Sequence, residues 1–362
     1  MIERALELAA QARLTAPPNP AVGCVLVNAE GRVIGEGYTQ RTGGAHAEIM
    51  ALRDAQARGH ATQGATAYVT LEPCAHHGRT GPCCEALVQA GVSRVIASLV
   101  DPNPKVAGRG LDHLRAAGIR VEVGPGAEQA RELNLGFFSR MVRGRPWMRM
   151  KVAASLDGTS ALGNGQSQWI TSPQARADGH AWRARACAVL TGIGTVLTDD
   201  PALTVREVVT DRQPVRVIID SRLQTPPHAR LLQGGGPVWI YCALSDPQRQ
   251  APLLARGAQI ICLPDSQGKV DLQALGRDLA QREINEVHVE AGSKLNGSLM
   301  QAGLIDELLL YLAPVLLGPG QGLMALPALQ RLDQGQALQF LDLVRTGPDL
   351  RLRARLQGRE HF

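Results

Sequence analysis

The chain has 362 residues, which suggests about two domains of roughly 150 residues each and allows a sizeable hydrophobic core. Lys plus Arg number 38 against 33 Asp plus Glu, so the small net charge of +5 does not indicate obligate nucleic-acid binding. Aromatic residues make up only 3% of the chain, too few for the stacking platforms of single-stranded nucleic-acid binders. Apolar residues make up 44% without any long uninterrupted run, which argues against disorder and against a membrane span.

The cysteine content and the N-terminus indicate an intracellular location. Seven cysteines at irregular spacing suit free thiols or metal ligands better than a disulfide framework, and free thiols imply a reducing compartment. Glu3 and Glu7 interrupt the apolar pattern of residues 1–15, which therefore predicts an amphipathic helix rather than a signal peptide. We expect a cytoplasmic protein.

The first 140 residues predict an α/β layer. A helix ends at the prolines of 17–20, and a strand (21–28), a second strand (33–38) and a helix (45–59) follow it. Strands and helices then alternate over 66–71, the segment after Pro82, 94–100, 108–118 and 119–123. One further helix over 128–141 closes this half.

The segment 143–146, Arg-Gly-Arg-Pro, is short and charged and contains both helix breakers, so it predicts a boundary between domains 1–144 and 145–362. A second alternation follows, with predicted strands at 147–155, 186–192, 215–220, 237–242, 258–263 and 285–290. The segments 306–317, 338–344 and 350–356 are predicted as consecutive, antiparallel strands. The sequence thus indicates two α/β domains.

His46, Cys74 and Cys83 are the candidate ligands of a catalytic zinc ion. One imidazole and two thiolates suit zinc and leave its fourth position open, where a water can be activated. Glu48 would not be a ligand but would shuttle a proton from that water to the substrate. The order His-x-Glu, Pro-Cys, Cys matches the signature of zinc-dependent base deaminases, except that the two cysteines lie further apart than in its Cys-x-x-Cys form.

Other interpretations of these residues are open at this point. A structural zinc site would need a fourth protein ligand, such as Cys84 or His76, and a nucleoside or tRNA deaminase would share the zinc and Glu48. Cys84 is predicted to be a packed thiol, and His76 and His77 are predicted to be solvated loop residues. The cysteines in strand-like segments are predicted to be core thiols: Cys24, Cys187, Cys242 and Cys262.

The second half contains no Gly-x-Gly-x-x-Gly after its first strand, so the common dinucleotide-binding fold is not supported. Small residues at 291–298 follow a predicted strand and enter a helix, where free N–H groups and Lys294 could hold phosphates. The segment 192–195, Gly-Ile-Gly-Thr, offers a second close backbone approach. Ser221 and Arg222 follow another strand and could receive the 2′-phosphate of NADPH.

Several motifs together resemble a known family. NPAVGCVLV, GGAHAE, TLEPCAHHGRTGPC and DPNPKVAGRG lie in the first half, and MRMKVAASLDG, SQWITSPQAR, GIGTVLTDDPALTVR and VEAGSKLNGSL lie in the second. The chain resembles the bifunctional deaminase/reductase family of bacterial riboflavin biosynthesis over nearly its whole length, more weakly at the C-terminal tail. Gly81 departs from the family pattern, which commonly has a second proline there.

The resemblance implies a cytidine-deaminase-like three-layer α/β/α domain followed by a dihydrofolate-reductase-like α/β domain. It also implies deamination of a diaminopyrimidine ribosyl phosphate, reduction of its ribosyl group with NADPH, a small-molecule substrate rather than nucleic acid or membrane, and a homodimer. Lys151 and Glu290 would face the hydride-transfer cleft, or would form an ion pair between strands. Implied NADPH contacts are Ala153, Trp169, Thr195, Asp199, Ser221, Gly292, Ser293, Lys294, Leu295, Asn296, Gly297 and Ser298. Implied substrate contacts are Ser167, Arg183, Leu203, Arg206 and Glu290.

Overall fold

The computed structural model describes residues 1–75 and 81–362. The chain divides into two compact units, Met1–Arg143 and Gly144–Phe362. None of the described helices combines the length and the apolar character that crossing a membrane requires.

The N-terminal unit alternates helices and strands. Its helices are α1 (Ile2–Ala12), α2 (Ala47–Ala57), α3 (Cys83–Gln89), α4 (Arg109–Ala116), α5 (Ala127–Leu133) and α6 (Leu135–Arg143). Its strands are β1 (Gly23–Val27), β2 (Val33–Tyr38), β3 (Thr66–Val69), β4 (Arg94–Ala97) and β5 (Arg120–Val123). They form one sheet in the order β2-β1-β3-β4-β5, in which β1 is antiparallel to its two neighbours and β3, β4 and β5 are parallel.

Helices pack on both faces of this sheet, and glycines allow the close approach. A side chain at Gly23 would collide with the backbone of α1, whereas one at Gly35 or Gly37 would collide with the backbone of α2. Gly37 pairs with Cys24, the neighbour of Gly23 in β1, and adjacent strand residues point to opposite faces. The two helices therefore lie on opposite faces, which confirms the three-layer α/β/α prediction.

The prediction of one helix over 128–141 is wrong, because the chain breaks into α5 and α6 at Asn134. The buried Asn134 side chain accepts a hydrogen bond from the Ala21 N–H at 2.7 Å and donates one to the Ala21 carbonyl at 2.9 Å. Its backbone leaves the helical region, with φ −123° and ψ 20°. The bonds that hold Asn134 link it to a residue distant in sequence, so local helical periodicity does not reveal the break.

The C-terminal unit is built on a larger sheet. Its strands are β6 (Trp147–Ser155), β7 (Ala161–Leu162), β8 (Ala188–Gly192), β9 (Val215–Ile219), β10 (Val238–Cys242), β11 (Gln259–Cys262), β12 (Glu286–Val289), β13 (Glu307–Ala313), β14 (Gly320–Gln321), β15 (Leu338–Thr346) and β16 (Asp349–Leu356). Its helices are α7 (Pro173–Arg185), α8 (Ile193–Asp199), α9 (Pro247–Leu254), α10 (Leu272–Gln281) and α11 (Ser293–Gln301).

Nine of these strands form one sheet in the order β11-β10-β9-β8-β12-β6-β13-β16-β15. The seven strands from β11 to β13 run parallel, whereas β16 is antiparallel to both of its neighbours, β13 and β15, which confirms the predicted terminal pair. Cys262 is exposed, so its prediction as a core thiol is wrong. The reason is that β11 is the last strand on its side of the sheet and lacks the cover of an inner strand.

A buried ionic cluster links β6, β12, β13 and β16. The Arg149 Nε donates to Glu307 Oε1 at 2.6 Å, and Arg149 also pairs with Glu286 at 3.1 Å. The Arg355 guanidinium donates to the other Glu307 oxygen at 3.1 Å. Burial opposes the ionisation of Glu307, but the charges of Arg149, Arg353 and Arg355 outweigh it and lower its pKa to about 2.

Replacing Glu307 by Gln is expected to lower the free energy of unfolding by about 3 kcal/mol at pH 7, because a buried guanidinium loses its nearest carboxylate. The native pKa lies below the ordinary value of 4.5, so the stabilisation is complete above that value and is lost as pH falls towards about 2. The difference in unfolding free energy between the wild type and the variant, measured by urea titration, should therefore become smaller as the pH falls. All four tryptophans lie in the C-terminal unit, so their fluorescence follows this unit.

The matched control is Asp333→Asn, which removes an exposed ion pair with Arg331 and should change the unfolding free energy by less than about 1 kcal/mol. A deficit for Glu307→Gln that stayed constant between pH 7 and pH 3 would show that the cluster does not depend on the charge of Glu307.

Candidate functional site

Two helix starts and one loop supply the predicted metal ligands. His46 directly precedes α2 with an extended backbone, φ −75° and ψ 167°, and Glu48 lies in the first turn of that helix. Cys74 lies in the loop after β3, and Cys83 is the first residue of α3. The helix α2 packs on β1 and β2 through Gly35 and Gly37, which places His46 and Glu48 at one end of the sheet.

The structure brings His46, Cys74 and Cys83 together. Their ligand atoms all lie within 4.8 Å of one another. The His46 Nδ1 is 3.5 Å from Cys74 Sγ and 3.3 Å from Cys83 Sγ. Ligands on a tetrahedral zinc ion lie roughly 3.5 Å apart when the metal distances are about 2.0 Å to nitrogen and 2.3 Å to sulfur. The three side chains therefore fit a zinc ion.

The surroundings of Cys74 favour its thiolate form. Its sulfur accepts a hydrogen bond from the backbone N–H of Cys83 at 3.4 Å, at the start of α3. Hydrogen bonds from the Cys83 and His46 side chains outweigh burial and lower the pKa of Cys74 to about 4. A thiolate is the form that binds a metal.

Within residues 1–75 and 81–362, no fourth His, Cys, Asp or Glu joins this group. The neighbouring Cys84 is buried but is not a member, in agreement with its prediction as a packed thiol. His76 and His77 lie outside the described residues. Among the described side chains, the group thus has three ligands, the number found in catalytic rather than structural zinc sites.

Glu48 is buried beside the three ligands. The residue is only 3% exposed. Burial, followed by the negative charge of Cys74, raises the pKa of Glu48 to about 7. A carboxyl group with a pKa near neutrality can both accept and release a proton, as general acid–base catalysis requires.

Glu72 is a structural residue of the site that our sequence reasoning did not find. Its buried carboxylate accepts backbone hydrogen bonds at 2.8–3.4 Å from Asp101, Gly108, Gly110 and Leu111, at and before the start of α4. These bonds tie the loop that carries Cys74 to the next strand-to-helix connection. The sequence signal that could have revealed Glu72 is its position as an acidic residue in an otherwise apolar segment, two residues before Cys74.

In the C-terminal unit, three predicted cofactor segments follow the carboxyl ends of adjacent parallel strands. Residues 192–195 follow β8, Ser221 follows β9, and Gly292 follows β12. Because β9, β8 and β12 are neighbours in the sheet, these segments share one edge, where open α/β sheets bind ligands. A side chain at Gly192 would approach Leu295 to 2.9 Å, and one at Gly292 would lie 3.9 Å from Thr195 Oγ1. The glycines thus leave room for close packing at this edge.

The seven residues 292–298 fall into two groups. Gly292, Ser293, Lys294 and Leu295 form the start of α11, with Lys294 exposed. Asn296 and Gly297 are buried against residues 323–325, where Asn296 donates to the Leu323 carbonyl at 3.1 Å. Ser298 donates back to the Lys294 carbonyl at 3.1 Å. The exposed N–H groups and the positive charge of Lys294 lie in the first group, residues 292–295.

Lys151, Glu290 and Arg183 meet beside the centre of the sheet. Val289 pairs with Met150, so Glu290 and Lys151 follow at adjacent positions of β12 and β6. Glu290 forms its direct ion pair with Arg183, through two hydrogen bonds of 2.7 and 2.9 Å. Burial opposes ionisation of Glu290, but Arg183, His288 and Lys151 hold its pKa well below the usual range, while burial lowers the pKa of Lys151.

The remaining predicted contacts lie around this centre. The exposed Arg206 donates its backbone N–H to His180 at 3.3 Å, and burial, with the charge of Arg183, lowers the pKa of His180 to about 4. Leu203 is buried with φ at +54°.

Ala153 on β6 and Ser167 are half-buried, while Trp169 is 69% exposed and stacks on Arg176. Asp199, the last residue of α8, forms a hydrogen bond with Gln168, and burial raises its pKa.

Two family models match the chain in its two halves. The model described as the cytidine and deoxycytidylate deaminase zinc-binding region matches residues 1–99, and the one described as the RibD C-terminal domain matches residues 146–352. Riboflavin biosynthesis protein RibD of Escherichia coli K12 is 48% identical over 360 residues, which cover 96% of each chain. The chain belongs to the RibD family. RibD of Haemophilus influenzae is 44% identical, covering 97% of this chain and 95% of that protein.

Solved RibD structures share the fold over the full length. Acinetobacter baumannii RibD has a TM-score of 0.89 at 41% identity and covers 98% of this chain and 97% of its own. A deaminase/reductase from Thermotoga maritima has a TM-score of 0.87 at 32% identity, with the same coverage. The chain is therefore a bifunctional enzyme of riboflavin biosynthesis with a zinc-dependent deaminase and an NADPH-dependent reductase.

Replacing Cys83 by Ser is expected to remove zinc, because a hydroxyl does not supply the thiolate that the site requires. Cys84→Ser changes the adjacent buried thiol and should retain zinc, so it controls for a general disturbance of α3. Metal analysis of the purified variants measures this, with circular dichroism to confirm folding. Full zinc content in Cys83→Ser would contradict the ligand assignment. Loss of zinc in Cys84→Ser but not in Cys83→Ser would also contradict it.

Proposed function

We propose that residues 1–144 form a deaminase domain and residues 145–362 a reductase domain that act on one pyrimidine ribosyl phosphate in succession. The first removes the 2-amino group of 2,5-diamino-6-ribosylamino-4(3H)-pyrimidinone 5′-phosphate as ammonia. The second reduces the ribosyl group to ribityl. The buried Glu48 beside the His46, Cys74 and Cys83 cluster is the observation that carries the deaminase assignment. The substrate identity is supported by the relative from Thermotoga maritima, which is described as a diaminohydroxyphosphoribosylaminopyrimidine deaminase and 5-amino-6-(5-phosphoribosylamino)uracil reductase.

In the deaminase, His46, Cys74 and Cys83 hold the zinc ion, which when bound makes hydroxide available near neutral pH. Glu48 accepts the proton that the attacking water loses. It delivers that proton to the ring nitrogen, and it then carries the proton of the hydroxyl group added to the ring carbon to the departing amine, which leaves as ammonia. Its pKa of about 7 suits both directions of transfer, and its burial keeps the proton from bulk water.

In the reductase, NADPH supplies the hydride that reaches the anomeric carbon of the opened ribose. The segments 192–195 and 292–295, with Ser221, hold the cofactor at the carboxyl edge of the sheet, and Ala153, Trp169 and Asp199 complete its contacts. Arg183 and Arg206, with Ser167 and Leu203, hold the sugar phosphate, since the guanidinium fork matches a phosphate in geometry and charge. Lys151 and Glu290 place opposite charges at the reacting sugar, and Glu290 fixes the orientation of Arg183.

The protein is further proposed to be a cytoplasmic homodimer. All seven cysteines are free, in agreement with a reducing compartment. The edge strand β15 exposes apolar side chains that a second copy could cover, among them Phe340 at 71% and Leu343 at 60%. Light scattering on the purified protein should give twice the chain mass, and a monomer mass at micromolar concentration would contradict the dimer.

Incubation of the protein with the diaminopyrimidine phosphate tests the whole proposal. Ammonia should be released without NADPH, and NADPH should be oxidised only once deamination supplies its product. Glu48→Gln should keep zinc and lose ammonia release by several orders of magnitude, about 10²–10⁴-fold for the proton transfer alone. When the deaminated intermediate is supplied directly, this variant should oxidise NADPH normally.

Lys151→Ala is the matched variant for the second site. It should release ammonia at the normal rate and lose NADPH oxidation, because its buried charge lies among the reductase residues. Ammonia release retained by Glu48→Gln would refute the role of Glu48. Equal loss of both activities in either variant, with folding intact, would refute independent sites.

A further inference from the structure

Two cysteines outside the zinc centre lie side by side in the C-terminal unit. Cys242 ends β10 and Cys262 ends β11, and the two are direct partners in the parallel pairing of these strands. Partnered residues on adjacent strands direct their side chains to the same face of the sheet. The two sulfur atoms are therefore neighbours.

The two thiols differ in exposure. Cys242 is fully buried with Ile218, Ile240 and Leu253, whereas Cys262 is exposed on the last strand of the sheet. Burial, followed by the interaction with Cys262, raises the pKa of Cys242 to about 11. A reagent from solution therefore reacts first with the exposed Cys262, because Cys242 is buried.

The backbone spacing suits a disulfide, at the cost of some strain. Adjacent strands lie about 4.7–4.9 Å apart, which falls within the range of about 4.4–6.8 Å between the Cα atoms of disulfides. The Cβ atoms must approach to about 3.5–4.5 Å, so the strands must move together by several tenths of an ångström. As the last strand in the sheet order, β11 has a single neighbouring strand and can make this shift. A strained disulfide is also readily reduced again.

We propose that Cys242 and Cys262 form a reversible disulfide when the protein meets a low-molecular-weight disulfide. The Cys262 thiolate attacks one sulfur of that reagent, which forms a mixed disulfide and releases one thiolate. Cys242 then attacks the Cys262 sulfur, and its proton passes to the second thiolate, which leaves as a thiol. The two cysteines are oxidised by two electrons in total, and one disulfide molecule is reduced to two thiols.

Hydrogen bonds connect this pair to Ser221. The Leu263 N–H donates to the Cys242 carbonyl at 2.8 Å, and the Asp271 N–H donates to the Leu263 carbonyl at 2.8 Å. The Val270 N–H, next to Asp271, donates to Ser221 Oγ at 3.1 Å. The chain that follows β11 therefore orients the Ser221 hydroxyl. A shift of β11 on oxidation would displace this hydroxyl.

The consequence for the cofactor rests on the proposed function, in which Ser221 helps to hold NADPH. Oxidation should weaken NADPH binding about fivefold, which corresponds to about 1 kcal/mol at 1.4 kcal/mol per tenfold and equals one net hydrogen bond. Ammonia release by the N-terminal unit should not change, since neither cysteine belongs to that unit.

The test uses the zinc-loaded full-length protein, incubated with glutathione disulfide and digested without reductant for mass spectrometry. We expect a cross-linked peptide pair containing Cys242 and Cys262 that dithiothreitol separates. Cys262→Ser should give no cross-link, and Cys242→Ser should accumulate glutathione on Cys262. Cys187→Ser removes another buried cysteine of the same unit and should retain the cross-link. If Cys242→Ser does not fold, the cross-link in the wild type and its absence in Cys262→Ser still test the disulfide.

NADPH dissociation is then measured by fluorescence for the oxidised and reduced protein, with Cys262→Ser treated in parallel. A stable glutathione adduct on wild-type Cys262 without a cross-link would overturn the disulfide. A cross-link with unchanged NADPH dissociation would overturn the coupling to Ser221. Failure of the reduced protein to bind NADPH would instead refute the proposed cofactor site, while the cross-linking result would stand independently.

Discussion

The proximity of one imidazole, two thiols and one buried carboxyl group is the constraint on which the deaminase half depends. Helix starts supply His46 and Cys83, whose positions follow from the packing of α2 and α3, and the loop after β3 supplies Cys74. Concentrated negative charge in a buried site is costly unless a cation compensates it. Burial raises the pKa of Glu48, and the negative charge of the neighbouring Cys74 adds to this effect.

The reductase half depends on the direction of its strands. Because β9, β8 and β12 are parallel neighbours, the segments that follow them meet at one edge, although they are separated by up to 100 residues along the chain. Half-buried opposite charges from β6, α7 and the residue after β12 lie beside that edge, and the pairing of Glu290 with Arg183 offsets the cost of their desolvation. On the proposed assignment, the positioning of a cofactor and of an anionic substrate requires no glycine-rich dinucleotide motif.

The sequence predicted local structure and the clustering of His46, Cys74 and Cys83 well, because both have strong short-range signals. The strand 147–155 was predicted with the bounds of β6, and the three ligands were found from residue type and order. The break at Asn134, the role of Glu72 and the exposure of Cys262 were not predicted. Each depends on a partner or a sheet edge that is distant in sequence: Asn134 bonds to Ala21, Glu72 bonds to the start of α4, and Cys262 lies where the strand order ends. The direct pairing of Glu290 with Arg183 likewise became evident only from the fold.

X-ray absorption spectroscopy of the zinc-loaded protein tests most directly whether the metal has three protein ligands and an open position. Our account predicts two sulfur atoms at about 2.3 Å, one imidazole nitrogen, and one further light atom without imidazole scattering at about 2.0–2.1 Å. A third sulfur or a second imidazole bound to zinc would mean a closed, structural site. That result would contradict the assignment of this centre to hydrolysis.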